Sequence, residues 1–222
     1  IPTYCELENL TVLIPEVHEA LPLAKLLIVD DASGDGTPEG VRSHQLYESS
    51  LFLCSRPGKL GFSSALIEGY QGATVVGQMD ADWSHDPEDL PRLLAALTDS
   101  DCVIGSRYCR GGGVQNWSKL REFLSRSAAR YVRLWTGLSL QDPTAGFRMY
   151  RSSILGQILQ STTKCDGYGF QVEMAHAAWT AGASIIEVPV LFVERRAGQS
   201  KLTFNIVIEA IFKIPLLCLK SK

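Results

Sequence analysis

Asp80 and Asp82 stand two positions apart in the stretch Gln78 to Glu88, QMDADWSHDPE, just beyond the apolar run Ala73 to Val76. In a strand, side chains alternate between faces, so carboxylates at this spacing share one face and can reach a single divalent cation. Mg2+ and Mn2+ take such hard oxygen ligands and keep positions open for substrate phosphates. Other charged residues follow other apolar runs: Asp30 and Asp31 after Leu26 to Val29, Arg56 and Lys59 after Leu51 to Cys54, Arg107 after Cys102 to Ile104. A nucleoside diphosphate bridged by a metal suits this first group. Arg107, Arg121, Arg148, Arg195, Arg196 and Lys201 make a second, cationic group. Arginine forks bind phosphate oxygens, so it suits a second anionic ligand.

Elements that could position these residues can be read along the chain. ASGDGT turns the chain after Asp31, and Thr37 can cap the helix that follows. Arg56 to Gly61 is a glycine-punctuated loop opening a helix over Ser63 to Gln71, with Gly72 the spacer before the next strand. His85 to Asp89 starts a helix running to about Leu97, with Pro87 and acids where a first turn favours them. From Trp117 to Gly137, Leu120, Leu124, Ala128, Tyr131 and Leu134 recur at helical spacing, and Arg121 and Ser125 sit one turn apart. Asp142 to Arg148, DPTAGFR, breaks that pattern, and Arg148 has Asp142 as a possible ion-pair partner. A helix over Gln171 to Thr180 leads to a strand over Ser184 to Val190, and Val193 to Leu202 is a basic loop around Gly198. Strands that are apolar runs, alternating with helices, predict an α/β fold with an open, mostly parallel central sheet flanked by helices. Ligands of such sheets sit at the carboxyl ends of the strands, where these charges fall.

At 222 residues and 45% hydrophobic, the chain can build one core. We expect a catalytic domain over residues 1–202 and a segment over 203–222. In that segment Phe204 to Leu219 is apolar but too short to span a bilayer and is interrupted by Glu209 and Lys213. It reads either as an amphipathic helix on a membrane surface or as a helix packed on the core. A net charge of −3 gives no case for a nucleic-acid partner. Six cysteines without a CxxC pair indicate neither zinc nor a disulfide scaffold, and reduced thiols fit the cytoplasm. No charged leader followed by an apolar stretch is read at the N-terminus.

Pro2-Thr3-Tyr4, Glu6, VDDASGDGT, RPGKLG, QMDADWSHDPE, GSRY, DPTAGFR, GYGFQVEM and ERRAGQSKL occur in the order of one family. The chain resembles family 2 glycosyltransferases of the polyprenol (dolichol) phosphate mannose synthase type, from Pro2 to about Leu202. The resemblance implies a GT-A fold and a metal-dependent, inverting transfer of mannose from GDP-mannose to a polyprenyl monophosphate. The products would be polyprenyl phosphate β-mannose and GDP. It implies a peripheral enzyme on the cytoplasmic face of a membrane, docked on the membrane surface or held by a membrane-anchoring partner protein. It also implies an apolar strand ahead of Pro2, whereas the sequence starts at Ile1.

By the same resemblance Pro2, Tyr4, Glu6 and Asp31 hold the nucleoside, with Asp30 and Lys59 close by, and Asp80 and Asp82 hold the metal and diphosphate. The third metal-side position, often glutamine, is Ser84, a weaker ligand, with His85 as the other candidate. Arg107, Arg121 and Ser125 match the region that receives the lipid phosphate; Arg195, Arg196 and Lys201 match a basic loop over it. Asp82, Arg107 and Arg121 are the expected catalytic groups. An acceptor phosphate is already an anion, so a strong general base is not required; Asp166 and Glu173 fit loop positioning or sugar contacts better. Two other readings fit part of the pattern: a family 2 enzyme using UDP-glucose or another acceptor, and a nucleotide-binding module without turnover. The second cationic group argues against the module.

Overall fold

The computed structural model describes residues 1–69, 73–161, 168–194 and 213–215. A first parallel sheet holds β1 (Pro2–Thr3), β2 (Leu26–Asp30) and β3 (Leu51–Ser55) in that order. A second sheet has the order β4 (Val75–Gln78), β7 (Arg148–Arg151), β5 (Cys102–Ser106), β8 (Ile185–Pro189), and a two-stranded ribbon pairs β6 (Gly113–Gln115) with β9 (Leu191–Val193). Four of these six strand pairings are parallel; β7 runs antiparallel to both neighbours. Every residue of β5 is buried, as expected of a strand covered on both faces. The expectation of an α/β fold with a mostly parallel sheet holds, although DPTAGFR leads into a strand that periodicity did not reveal.

The helices are α1 (Leu7–Ala20), α2 (Thr37–Arg42), α3 (Phe62–Gly69), α4 (Leu90–Ala96), α5 (Lys119–Thr136), α6 (Ser152–Ser161) and α7 (Tyr168–Thr180). Helix starts differ from expectation in places: Pro87–Asp89 forms a 3-10 turn ahead of α4, α7 starts at Tyr168 rather than Gln171, and the start of α2 is fixed by another residue than expected. Thr37 does not cap α2: Gly36 holds the cap position, and Asp35 just before it accepts from the Thr37 N–H at 3.1 Å and the Thr37 hydroxyl at 2.6 Å. The other oxygen of Asp35 accepts from Leu7 N–H at 3.1 Å, so one carboxylate serves two helix N-termini. Ser118 caps α5 by accepting from Arg121 N–H, and Gly137 closes it at φ 72°, a left-handed conformation that suits glycine.

One core cluster joins Ile28 of the first sheet to Met149 of the second and to Met79, Ala81 and Phe147 just beyond its strands. A second cluster gathers Ile104, Tyr150, Phe170 and Met174, and a third packs Val132 and Val172 on Ile214. At Ile214, 3% exposed, the C-terminal segment therefore lies on the core. Residues 203–212 and 216–222 of that segment, Gly72, Asp166, Arg195, Arg196, Gly198 and Lys201 lie outside the described residues.

Candidate active site

The ends of β1, β2 and β3 are tied together by side chains. Asp30, fully buried, accepts from the Ser33 N–H at 3.0 Å and the Ser33 hydroxyl at 2.5 Å, and from Thr3 Oγ1 at 3.3 Å. Asp31 accepts from Arg56 Nε at 2.5 Å and from Gly61 N–H at 3.1 Å. Arg56 also donates to Ser64 Oγ and to the Gly61 carbonyl, which shapes the loop that carries Lys59. Lys59 Nζ then lies 4.1 Å from the centre of the Tyr4 ring, a cation over an aromatic face. Glu6 accepts from Asn9 Nδ2 at 2.7 Å at the start of α1. The expected donor residues Pro2, Tyr4, Glu6, Asp30, Asp31 and Lys59 thus stand at neighbouring strand ends. Arg56 is the piece missed as a partner: the signal for it was a cation at the end of β3 facing an acid at the end of β2.

Asp80 and Asp82 do not belong to a strand. β4 ends at Gln78, so strand alternation is not what places them. Beyond it Met79 and Ala81 are buried at 2% and 4% exposure while Asp80 and Asp82 are half-buried, which turns both carboxylates away from the core. The chain then reverses at Trp83, whose φ is 64°. Ser84, buried, donates its hydroxyl to Asp82 Oδ1 at 2.5 Å, and its N–H reaches the same oxygen at 3.2 Å. Ser84 therefore orients Asp82 through its hydroxyl proton, which leaves the oxygen's lone pairs for the third-ligand role expected of it. His85 accepts the Asp80 N–H on Nδ1 at 3.1 Å. Burial holds this imidazole neutral by lowering its pKa to about 4, against the opposing charge of Asp82.

The carboxylate pair fits a divalent cation. A Mg2+ or Mn2+ held by one or two carboxylates and completed by phosphates needs no closed cage of protein ligands, and among the described residues no three His, Cys, Asp or Glu side chains form one. Gly146 keeps the approach to Asp80 open: a Cβ there would stand 3.6 Å from both carboxylate oxygens. The Gly146 carbonyl is fixed by Gln78 Nε2 at 2.7 Å.

The cationic group divides. Arg107 is buried, and its fork grips Asp142 through Nε at 2.6 Å and Nη2 at 2.7 Å, with Thr144 Oγ1 at 3.0 Å. Asp142 also accepts the Arg107 N–H at 3.0 Å, and its own N–H is held by Glu187 at 2.8 Å. Arg107 was expected to bind the acceptor phosphate; in the structure its fork is paired with Asp142, the acid expected to pair with Arg148. Arg148, fully buried, donates to the carbonyls of Pro143, Ala145 and Gln171 and so shapes the DPTAGFR segment from inside the core. Arg121 alone of these three is half-exposed, with its guanidinium 4.0 Å over the Trp117 ring and paired with Glu194. One turn on, Ser125 Oγ accepts from the Tyr108 hydroxyl at 2.6 Å.

Two residues of β9 join the metal side to the Arg121 side. Phe192 meets His85 edge-on at 5.4 Å and Trp117 at 5.3 Å between ring centres, and Val193 N–H donates to the Ser84 carbonyl at 3.3 Å. Asp80, Asp82, Arg121 and Ser125 are therefore linked through packed groups. Glu173, 3% exposed, lies in α7 within the protein interior.

The model of the family described as Glycosyl transferase family 2 matches residues 1–159. The chain belongs to glycosyl transferase family 2. This family 2 chain is 41% identical over 219 residues to undecaprenyl-phosphate mannosyltransferase of Micrococcus luteus, covering 96% of the chain and 90% of that protein. It is 40% identical over 223 residues to polyprenol monophosphomannose synthase of Mycolicibacterium smegmatis, covering 96% and 83%. Among solved structures, glucosyl-3-phosphoglycerate synthase from Mycobacterium tuberculosis, in complex with Mn2+, UDP-glucose and phosphoglyceric acid, superposes with a TM-score of 0.69 at 18% identity. That match covers 98% of this chain and 77% of the other, and places the family 2 chain in the GT-A fold.

Proposed function

We propose that this family 2 glycosyltransferase moves mannose from GDP-mannose to a polyprenyl monophosphate, inverting the anomeric centre and releasing GDP. The observation that carries the reading is the identity of 40–41% across 96% of the chain to two proteins whose names specify mannose and a polyprenol phosphate. Tyr4, Lys59, Glu6, Asp30 and Asp31 form the nucleoside end of the site, with Pro2 entering from β1. Asp80 and Asp82 hold the divalent cation, which when bound offsets the charge of the diphosphate and of the departing GDP. Arg121 and Ser125 receive the acceptor phosphate, together with Arg195, Arg196 and Lys201 of the basic segment. Arg107 acts one layer behind, by fixing Asp142. The acceptor is an anion that attacks without a proton being removed, so these residues act by alignment and charge.

The test is a panel of nucleotide sugars offered with a polyprenyl phosphate and Mg2+ or Mn2+, scored by sugar in the lipid extract. Transfer from GDP-mannose is expected. Preferential transfer from UDP-glucose would move the chain to another branch of the family, and tight GDP binding without turnover on any acceptor would make it a binding module.

The acceptor's tail ties the enzyme to a bilayer, and α5 supports membrane association without insertion. No helix of the described residues is long and apolar enough to cross a membrane. On α5, Leu120, Phe123, Leu124, Leu134 and Trp135 recur on one helical face and are 50–83% exposed. Lys119, Arg126, Arg130 and Arg133 flank that stripe, the arrangement of a helix lying in an anionic interface. Each large apolar side chain contributes about 1.5–3 kcal/mol on transfer from water. Phe123→Asp with Leu124→Asp should therefore lower affinity for phosphatidylglycerol vesicles by at least about 100-fold in a sedimentation assay. Unchanged binding would take α5 out of the interface and leave the segment 204–222 as the anchor.

A further inference from the structure

We propose that His85 is a positioning residue for the cation site: as an acceptor locked between two aromatic rings, it fixes the backbone of Asp80 and so aims its carboxylate. The inference rests on the reading that Asp80 and Asp82 take a divalent cation.

Asp80 lies beyond the end of β4, where the strand ladder no longer sets its backbone. The chain turns back through Trp83 in a left-handed conformation, and five residues on from Asp80 the His85 ring meets the Asp80 N–H at 3.1 Å. That ring has little freedom. It stacks on Phe147 at 4.8 Å with 12° between planes, meets Phe192 edge-on at 5.4 Å and 79°, and is 3% exposed. Two perpendicular aromatic contacts fix the ring plane, and the ring plane fixes the direction of the Nδ1 lone pair. Asp82 has an equivalent tether in the Ser84 hydroxyl at 2.5 Å. Each carboxylate thus has its own support: one acts on a side chain, the other on a backbone. Outer partners of this kind commonly tune metal affinity by about 10–100-fold.

The geometry also separates this role from direct ligation. A ligand would use Nε2, because Nδ1 is engaged with Asp80; asparagine places an acceptor near the Nδ1 position, glutamine near that of Nε2. The experiment measures Mn2+ affinity in the presence of GDP from the electron paramagnetic resonance signal of free Mn2+, with thermal unfolding recorded beside it. His85→Phe keeps a ring against Phe147 and should fold, yet raise the Mn2+ dissociation constant by about tenfold or more. His85→Gln should lose affinity similarly, and His85→Asn should recover most of it even if its melting temperature falls. Recovery by H85Q but not by H85N would make His85 a ligand and overturn the proposal, as would wild-type affinity in H85F. Should H85N fold poorly, H85Q beside H85F decides: loss of affinity in both supports the positioning role, and recovery in H85Q overturns it. Wild-type protein that takes up no Mn2+ with GDP would overturn the cation reading itself, and this inference with it.

Discussion

Asp142→Ala should destabilise the protein by about 3–5 kcal/mol, the usual consequence of leaving a buried charge without its partner. Asp142 has no exposed surface and accepts from the Arg107 side chain, the Arg107 N–H and Thr144, while Glu187 holds its own N–H. The variant would bury the Arg107 guanidinium among Tyr108, Trp117 and Phe192, whose ring centres lie 5.1–5.7 Å away. Against a total stability of about 5–15 kcal/mol, that loss lowers the melting temperature by on the order of 10 °C. Calorimetry checks it, and the double variant Arg107→Met with Asp142→Leu should regain much of the loss because neither charge is then buried. A melting temperature within a degree or two of wild type would show that the pair is not structural. Burial alone pushes the Asp142 carboxyl up, but the Arg107 charge and the hydrogen bonds hold it below its usual range. The folded value lies below the unfolded one of about 3.9, so the pair's stabilisation is fully present above about pH 4 and is lost as the pH falls through the lower, folded value.

Asp82→Ala should reduce mannosyl transfer at saturating substrate by about 10³-fold or more, equivalent to about 4 kcal/mol of barrier and within what a cation contributes at a leaving diphosphate. Ser84→Ala removes only the hydroxyl that orients Asp82, so it should cost about tenfold. The ratio between the two variants carries the information: a ligand and its support should differ by about two orders of magnitude. Radiolabelled transfer from GDP-mannose, with circular dichroism as the folding control, measures both. Transfer that survives Asp82→Ala would remove that carboxylate from the chemistry.

The placement of the expected donor residues was legible in the sequence because its signals are local. Asp30, Asp31 and Lys59 each follow an apolar run, and the structure gathers them at strand ends, where Arg56 ties Asp31 to the loop that carries Lys59. For Asp80 and Asp82 the strand argument does not apply, since the ladder stops at Gln78; burial of Met79 and Ala81 sets the alternation there instead. The arginines were not legible individually. Arg107, Arg121 and Arg148 look alike in sequence, and their difference lies in partners 35, 73 and 23 residues away along the chain. Charge spacing carries no information about such distant pairing. β7 was hidden for a related reason: it places two arginines and a tyrosine in the middle of a sheet, where the buried Arg148 satisfies backbone carbonyls rather than following an apolar pattern. Asp35 was missed because one acid serving two helices requires α1 and α2 to be adjacent in space.

The length of α5 has a consequence for which lipids the enzyme can tell apart. Its 18 residues extend about 27 Å, and Arg121 lies in its first turn while the exposed apolar stripe continues to Trp135. A lipid whose headgroup is held at Arg121 can lay its first isoprene units along that stripe. Beyond the helix the remaining units lie among hydrocarbon and meet no protein surface of α5. Were Arg121 to hold the acceptor phosphate, α5 would read only a headgroup and a short stalk. Polyprenols that differ only in their far ends would be equivalent to this helix.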